Sequence, residues 1–359
     1  MDYIESSIEQ VRALKDKKDA VIMAFESSCD ETAAAIVRGG REVLGNAVYT
    51  QIAIHREYGG VVPEIASRNH VMKLSYVADA ALKEAGMTFD DIDAFAVTCG
   101  PGLVGALLTG VSYAKGLAYA KKKPLIPVNH MEGHVSANYI THKTLEPPFI
   151  CLVVSGGHTN VIKVEEHAKF TELGTTRDDA AGEAFDKIAR VLGLPYPGGP
   201  ELQKLAKSGD PNTYTFPKAF RGETHLDYSF SGLKTNVINL VRKLERTDPE
   251  YFKADVAASF QNAVVDTLLS NAFEAVKRSG IKRLVLAGGV CANELLRKKA
   301  SARAEKENIE IFFPELRYCT DNAAMIASAA YFALYRGCAG LDLNADPSLE
   351  TTDGSPAII

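Results

Sequence analysis

The chain contains the same order of predicted elements twice, and this internal repeat constrains the fold more than any other feature. Residues 20–40 are predicted as a strand, a small polar turn and a second strand, and residues 148–166 follow the same pattern. In each half a strand, a glycine turn and a helix come next, and then a short strand and another helix. Strands alternating with helices predict an α/β fold, and the repeat predicts two similar lobes that face each other across a cleft.

The repeat also predicts where the parts of the chain begin and end. We predict an N-terminal extension over residues 1–19, a first lobe over residues 20–147 and a second lobe over residues 148–338. The second half carries extra residues, about 167–235, which we interpret as a helical insertion. Residues 339–359 are polar and predict a flexible C-terminal tail.

Composition limits the class of protein and the cellular compartment that the sequence fits. The chain of 359 residues has 40 Lys and Arg against 45 Asp and Glu, so its net charge of −5 does not by itself indicate a nucleic-acid partner. The six cysteines form no Cys-x-x-Cys pair, which favours a reducing compartment over a disulfide framework. No apolar run has the length of a membrane span, and the N-terminus lacks the apolar core of a signal peptide. We therefore expect a cytoplasmic protein.

The stretch "PVNHMEGHVSANY" indicates a metal site. His130 and His134 are four residues apart and would share one face of a helix. Asp321 follows the equivalent strand of the second half, and ligands of open α/β sheets bind beyond the carboxyl ends of the strands. We predict that these three side chains meet between the lobes and bind Fe(II) or a catalytic Zn(II), because two histidines and one carboxylate leave coordination positions open. In the alternative interpretation the histidines lie at the surface and Asp321 is only a helix N-cap.

Two glycine-containing turns are candidates for contact with an anionic or nucleotide ligand. The turn "VVSGGHT", residues 153–159, follows an apolar strand, and its glycines would allow a ligand to approach the backbone. The matching turn of the first half holds Asp30 and Glu31 instead. In "AGGVCANELLR", residues 287–297, Asn293 could hydrogen-bond a base. The alternatives are an ordinary hairpin turn and close packing of a helix on a strand.

A basic and aromatic stretch is a candidate for contact with nucleic acid. Residues 216–243 interleave basic and aromatic side chains, and such a combination can hold phosphates and unstacked bases. The basic residues are Lys218, Arg221, Lys234 and Arg242, and the aromatic residues are Phe220, Tyr228 and Phe230. The run of residues 121–123, three lysines, is a second candidate. In the alternative interpretation the first stretch belongs to an amphipathic helix and the second is solvated surface.

Several motifs, taken together and in order, resemble those of one family, the tRNA adenosine threonylcarbamoyltransferases once labelled O-sialoglycoprotein endopeptidases. The motifs are "ESSCDETAAAIV", "YGGVVPEIASRNH", "TCGPGLVGALLTGVSYAKGLA", "NHMEGH", "VSGGHT", "GEAFDKIARVLGL", "YPGGP", "YSFSGLKT", "LAGGVCAN" and "CTDNAAMIA". They cover roughly residues 20–338, and the second resembles the bacterial branch. The resemblance implies the duplicated actin-like ATPase fold. It also implies transfer of a threonylcarbamoyl group from threonylcarbamoyl-adenylate to the exocyclic amine of the adenosine 3′ of the anticodon, in tRNAs that read codons starting with A, with release of AMP.

The resemblance also assigns residues to roles. It implies that His130, His134 and Asp321 bind one iron ion per subunit, with zinc as the alternative. The residues that it implies for contact with the adenylate are Val153, Val154, Ser155, Gly156, Gly157, Asp186, Gly199 and Asn293. Gln203 stands where many members carry an acidic residue that contacts the ribose, which leaves that contact open. We predict that Asp30 takes the proton of the attacking amine.

The partners implied by the resemblance are threonylcarbamoyl-adenylate, tRNA, an inactive actin-like paralogue (TsaB type) and a small P-loop ATPase (TsaE type), with no membrane. Three other functions remain open from the sequence. A metallopeptidase would need a base beside the metal, but Met131 stands where a zinc peptidase has glutamate. A sugar-kinase-like ATPase would need a phosphate-binding hairpin with magnesium. A non-catalytic scaffold paralogue would lack the histidine pair, which this chain retains.

Overall fold

The computed structural model describes residues 2–217, 219–220, 224–248, 250 and 252–350. Two of the predicted basic residues, Lys218 and Arg221, lie outside the described residues.

Ten strands in the described residues form two sheets of five. The first sheet contains β1 (Val21–Glu26), β2 (Glu31–Arg38), β3 (Glu42–Thr50), β4 (Ala94–Gly100) and β5 (Leu125–Asn129). The second contains β6 (Phe149–Val154), β7 (Thr159–Glu166), β8 (Lys169–Thr175), β9 (Arg283–Ala287) and β10 (Glu310–Phe312). Their orders are β3-β2-β1-β4-β5 and β8-β7-β6-β9-β10. In both sheets the first three strands along the chain pair antiparallel and the last two join parallel. The predicted duplication is therefore confirmed.

Helices cover these sheets. Those in the described residues are α1 (Tyr3–Leu14), α2 (Ile52–Arg56), α3 (Pro63–Ala85), α4 (Val104–Lys121), α5 (His130–Thr141), α6 (Ala181–Val191), α7 (Gly198–Ala206), α8 (Ser231–Thr247), α9 (Lys253–Ser279), α10 (Glu294–Glu307) and α11 (Ala323–Ala333). Within the described ranges, none combines the length and the low polarity needed to cross a lipid bilayer.

Four strands are buried on both faces, which explains their sequences. Every residue of β1, β4, β5 and β6 is buried. A strand covered on both sides has no solvent face, so its sequence is a nearly continuous apolar run. Phe25, Phe95 and Phe149 are fully buried, and each such side chain stabilises the fold by roughly 1.5–3 kcal/mol.

The helices α5 and α11 cross between the two sheets. Although α5 follows the first sheet, its Val135 packs in a buried cluster with Phe149 of the second sheet. Conversely, α11 follows the second sheet, but its Ile326 packs with Ile22 of the first. A Cβ atom on Gly133 of α5 would lie 2.5 Å from Ile326 Cδ1, so the two helices approach closely at this glycine. The crossing brings the N-terminal ends of both helices together between the sheets.

Three segments differ from, or add to, the sequence prediction. Strand β8 occupies Lys169–Thr175, so the helical insertion begins later than expected; most of the strand is exposed or half-buried at the sheet edge, which hides its pattern. The N-terminal extension forms α1, which buries Val11 and Leu14 against the first sheet. Residues 339–350 pack against the first lobe instead of forming a flexible tail, because two buried leucines and backbone hydrogen bonds hold them despite the polar composition.

Candidate functional site

The two histidines lie in the first turns of α5, directly after the first sheet. Asn129 is the last residue of β5 and the N-cap of α5, and its side chain accepts a hydrogen bond from the Met131 amide at 2.8 Å. An N-cap of this kind satisfies an otherwise unpaired helix amide and fixes where the helix begins. His130 is therefore the first helical residue, and His134 lies one turn later with its ring centroid 4.6 Å from that of His130.

Asp321 meets these histidines from the segment that leads into α11. The N-cap of α11 is Asn322, whose side chain accepts from the Met325 amide at 3.0 Å. The alternative in which Asp321 is only an N-cap is therefore wrong, and its carboxylate is directed to the site. Asp321 Oδ1 lies 3.5 Å from His130 Nε2 and 3.3 Å from His134 Nε2.

The donor atoms of this group fit a metal ion. One ligand atom from each of His130, His134 and Asp321 lies within 4.8 Å of the others, and both histidines are buried. Nδ1 of His134 has no hydrogen-bond partner among the described residues, and Nε2 has only the Asp321 carboxylate, at 3.3 Å. A buried polar atom left unpaired costs about 1–3 kcal/mol, so this ring is suited to a bound ion. The sequence prediction that the three residues meet is confirmed.

The structure adds Glu26, which the sequence analysis missed. This fully buried carboxylate ends β1, accepts hydrogen bonds from the Ser28 amide and the Thr98 hydroxyl, each at 2.6 Å, and lies 3.0 Å from His130 Nδ1. A carboxylate on the outer nitrogen of a ligating histidine fixes the ring and directs the other nitrogen to the metal. The signal in the sequence was a charged residue at the end of the apolar run "VIMAFE", because a buried charge needs a partner.

Burial and neighbouring charges shift the pKa values of the three histidines at the site in different directions. Burial alone would lower the pKa of His130, but the carboxylates of Asp321 and Glu26 raise this pKa well above its usual value. Burial lowers the pKa of His134. Burial and the two neighbouring histidines lower the pKa of His158 to about 4. His134 and His158 are therefore neutral near pH 7, and neutral imidazole is the form that binds metal.

The turn after β1 carries two carboxylates with raised pKa values. Burial and the charge of Asp321 raise the pKa of Asp30, and Tyr196 from the second half donates its hydroxyl to Asp30 Oδ2 at 3.4 Å. Burial and the charge of Asp30 raise the pKa of Glu31 to about 8, and the Thr50 hydroxyl donates to Glu31 Oε1 at 3.0 Å. The sequence analysis gave a role only to Asp30.

The turn after β6 is open on one side. Val153 and Val154 are buried strand residues, so only their backbone could contact a ligand. The Ser155 amide donates to the His158 carbonyl at 2.8 Å, which closes the turn. Added Cβ atoms on the next two residues, Gly156 and Gly157, would meet no heavy atom of the described residues within 4 Å. Packing therefore does not require glycine at these positions.

Asp186 on α6 lies beside the start of α7, which contains Gly199. Asp186 Oδ1 accepts from the Gly198 amide at 2.7 Å, and burial raises the pKa of Asp186. A Cβ atom on Gly198 would lie 2.5 Å from Ala189 Cβ, whereas one on Gly199 would meet no described heavy atom within 4 Å. Of these two glycines, only Gly199 leaves space for a ligand.

Asn293 and Gln203 both hold the start of α10. Asn293 accepts from the Leu296 amide at 3.0 Å as the N-cap and donates to Gln261 Oε1 at 2.9 Å. Gln203 Oε1 accepts from the Glu294 amide at 2.8 Å. Close packing explains one glycine of this segment, since Gly288 has φ +90° and its Cβ would lie 2.4 Å from the Val154 carbonyl oxygen.

Two of the predicted basic residues have acidic partners. Lys234 forms an ion pair with Asp179, and Lys121 Nζ lies 2.9 Å from Asp90 Oδ1.

Comparisons with known proteins show to which family the chain belongs. The family model "TsaD: tRNA N6-adenosine threonylcarbamoyltransferase" matches residues 42–328. A tRNA N6-adenosine threonylcarbamoyltransferase of Clostridium perfringens is 58% identical over 330 residues, which cover 92% of this chain and 97% of the relative. The protein of the same name from Caldicellulosiruptor saccharolyticus is 57% identical over 317 residues, 88% of this chain and 94% of the relative.

Solved structures agree with the fold. The full-length HypF crystal structure superimposes with a TM-score of 0.60 at 16% identity and covers 89% of this chain, although this chain spans only 47% of HypF. Component A of the Acidaminococcus fermentans (R)-2-hydroxyglutaryl-CoA dehydratase gives a TM-score of 0.50 at 16% identity, covering 88% of this chain and 98% of its own. These neighbours have the actin-like ATPase fold, which confirms the predicted fold class. The resemblance found in the motifs is also confirmed, and the chain belongs to the family of tRNA N6-adenosine threonylcarbamoyltransferases.

Proposed function

We propose that this chain transfers a threonylcarbamoyl group from threonylcarbamoyl-adenylate to the exocyclic amine of the adenosine 3′ of the anticodon, in tRNAs that read codons starting with A. The observation that carries the proposal is the group of His130, His134 and Asp321 at the junction of the two sheets, in a chain of this family. The donor is a mixed anhydride with AMP, so its leaving group is already activated. The enzyme's work is then to position the two substrates and to stabilise charge.

The residues around the junction suggest how the donor is held. The open turn at Gly156 and Gly157 presents backbone amides to the phosphate or acyl end. We assign Gly199 and Asp186 to contact with the ribose and Asn293 to contact with the adenine. The amide of Asn293 already has two partners within the protein, so its contact with the base would use its remaining hydrogen-bonding capacity.

We assign the proton transfer to Asp30. The adenosine amine forms a bond to the carbamoyl carbon, the bond from that carbon to the AMP oxygen breaks, and the amine proton passes to the Asp30 carboxylate. Burial raises the pKa of Asp30, which makes its carboxylate a better base than an exposed aspartate. Tyr196 orients the carboxylate from the other half of the chain.

We assign iron to His130, His134 and Asp321, one ion per subunit, with zinc as the alternative. Two imidazoles and one carboxylate suit either ion and leave positions open, and binding of the ion requires His130 to release its proton. Such an ion supplies Lewis-acid stabilisation of oxygen atoms. Glu26 holds His130 in the orientation that this role needs.

A peptidase function is disfavoured by the one glutamate between the histidines. Glu132 is buried, and both of its carboxylate oxygens accept hydrogen bonds from Arg336 Nη1 at 3.0 Å. A carboxylate held in this way cannot serve as the base that activates a water molecule beside the metal.

The partners that we propose are tRNA, an inactive actin-like paralogue and a small P-loop ATPase. A surface on α3 and α4 of this chain is suited to bind the paralogue. Their exposed apolar side chains are Val71, Met72, Tyr76, Val104 and Leu108, with Tyr76 70% exposed. Several exposed apolar side chains on two helices that pack together are typical of a protein–protein contact.

We also propose the lobe boundaries predicted from the sequence and a cytoplasmic location. All six cysteines are free thiols, which supports a reducing compartment.

The test is a reconstituted reaction. The chain, with the proposed partner proteins, is incubated with threonylcarbamoyl-adenylate and unmodified tRNA, and the tRNA nucleosides are analysed by mass spectrometry. We expect threonylcarbamoyladenosine and AMP in equal amounts, and loss of both products with Asp321→Ala. Sustained ATP hydrolysis without tRNA, and no modified nucleoside, would favour the kinase-like ATPase instead.

A further inference from the structure

The C-terminal segment, residues 339–350, follows the edge of the first sheet to the N-terminus of α5. It starts beside the first residue of β5, where the Ala339 amide donates to the Leu125 carbonyl at 2.8 Å. It ends beside the last residue of β5, where Asn129 Nδ2 donates to the Glu350 carbonyl at 3.1 Å. Within the described residues, the segment bonds the backbone of β5, the edge strand of its sheet, only at Leu125, and its middle is held on α4, where Lys115 Nζ donates to the Leu341 and Leu343 carbonyls.

The segment is seated closely on the carboxyl end of the sheet. The Asp346 amide donates to the Cys99 carbonyl at 2.8 Å, and the Gly102 amide donates to the Pro347 carbonyl at 3.2 Å. A Cβ atom on Gly100 would lie only 1.9 Å from the Asp346 carbonyl oxygen. The chain therefore passes where only glycine leaves room for it.

One side chain connects this segment to the helix that carries both histidines. Asn129 Oδ1 accepts from the Met131 amide and so caps α5, while Asn129 Nδ2 donates to the Glu350 carbonyl. The cap of α11 is held differently, because Asn322 Nδ2 donates to the Thr320 carbonyl within its own loop. Of the two helix caps at the site, the one next to His130 thus depends on a distant part of the chain.

We propose that Asn129 and the C-terminal segment position the metal centre. The Glu350 carbonyl holds the Asn129 amide, and Asn129 holds the first turn of α5, so that His130 and His134 face Asp321. Asn129 is a positioning residue, since it acts through the helix and not on the ion. The inference rests on the proposed metal centre and adds a part of the chain that the sequence analysis left as a tail.

The test compares four proteins, each titrated with Co²⁺ alone while its visible ligand-field bands are recorded. They are the full chain, a chain ending at Thr352, a chain ending at Ala345 and the Asn129→Ser variant. The chain ending at Thr352 is the matched control, because it keeps the Glu350 carbonyl as an amide. Serine is also a good N-cap but is too short to reach Glu350, so it removes one contact and keeps the other.

We expect the control to bind Co²⁺ like the full chain. The chain ending at Ala345 and Asn129→Ser should each bind at least tenfold more weakly and show altered bands. A synthetic peptide of residues 346–359 should restore the bands of the chain ending at Ala345 but not those of Asn129→Ser. This rescue separates loss of positioning from general misfolding.

Other outcomes would overturn the inference. If the full chain binds Co²⁺ and Asn129→Ser matches it in affinity and bands, the positioning role is wrong and the proposed metal centre stands. The positioning role is also wrong, and the metal centre stands, if the chain ending at Ala345 matches the full chain in Co²⁺ affinity and bands. If the full chain binds no Co²⁺, the proposed metal centre fails, and this inference fails with it.

Discussion

At the scale of single residues, the buried His134 ring gives the most direct test of the site. Its Nδ1 has no hydrogen-bond partner among the described residues, and its Nε2 has only the carboxylate of Asp321, which approaches from the other half of the chain. We expect His130→Ala and Asp321→Ala each to remove the metal, as measured by elemental analysis of the purified protein. Asp90→Ala, which changes an exposed carboxylate, should keep it. Stoichiometric metal in Asp321→Ala would exclude the second half of the chain from the centre.

A second prediction at this scale concerns Glu31 and pH. Its pKa is raised to about 8 in the folded chain, mainly by burial, whereas an unfolded glutamate titrates near about 4.3. Between these values the folded state holds a proton that the unfolded state has released, so this residue makes stability fall as pH rises. Glu31→Gln keeps an oxygen for the Thr50 hydroxyl but removes the titration.

The measurement for Glu31 is urea unfolding of both proteins at several pH values. The two stabilities should be similar at pH 4, and the variant should become the more stable protein as the pH approaches 8. A constant difference across this range would show that Glu31 is not protonated in the folded chain.

At the scale of elements, the two turns that we assign to the adenylate can be tested at their open glycines. Leucine at Gly156 or Gly199 meets no described heavy atom at its Cβ, so the fold should tolerate it. A bound adenylate would lose that space, and calorimetry with a stable adenylate analogue should show at least tenfold weaker binding, about 1.4 kcal/mol. Gly116→Leu, on α4 and also open, is the control. Unchanged affinity would mean that both glycines serve only the geometry of their turns.

The crossing of α5 and α11 gives the other prediction for elements. Leucine at Gly133 would collide with Ile326 and Met325, and overpacking of this kind costs about 1–3 kcal/mol. We expect Gly133→Leu to lower the free energy of unfolding by that amount, whereas Gly116→Leu should have little effect. Equal stabilities would contradict the close approach of the two helices.

The same elements show how far sequence reasoning reaches. The order of strands and helices could be predicted, because periodicity and the repeat are local signals. The meeting of His130 and Asp321 could also be predicted, because each residue follows the last strand of its half and these two strands are equivalent in the repeat. The packing of α5 on the second sheet and of α11 on the first could not be predicted. Both helices are mostly buried, so neither has a single apolar face that would indicate its partner sheet. Glu26 was missed because two of its partners, Thr98 and His130, are distant in the chain.

At the scale of the whole molecule, contact with tRNA must come from a local surface, because the net charge is −5. The candidates are Lys218, Arg221 and Lys234, of which Lys234 already pairs with Asp179. Lys and Arg side chains that bind phosphates release the counterions condensed on the nucleic acid, so removal of these charges should weaken binding and flatten its salt dependence. The aromatic residues of the same stretch could support an unstacked base.

The measurement is a tRNA titration of the reconstituted complex at several salt concentrations, with Lys218, Arg221 and Lys234 all changed to alanine. A matched control changes Lys282, Arg283 and Lys306 to alanine, which removes the same total charge. These residues lie at the amino end of β9 and the C-terminal end of α10. Ligands of such sheets bind at the opposite, carboxyl ends of the strands, so the control should bind tRNA like the wild type. Each lost phosphate contact should reduce the salt slope by about 0.9 on duplex-like regions or about 0.7 on single strands. Wild-type affinity and slope in the first triple variant would exclude this surface from the tRNA path, and the metal and adenylate assignments would be unaffected.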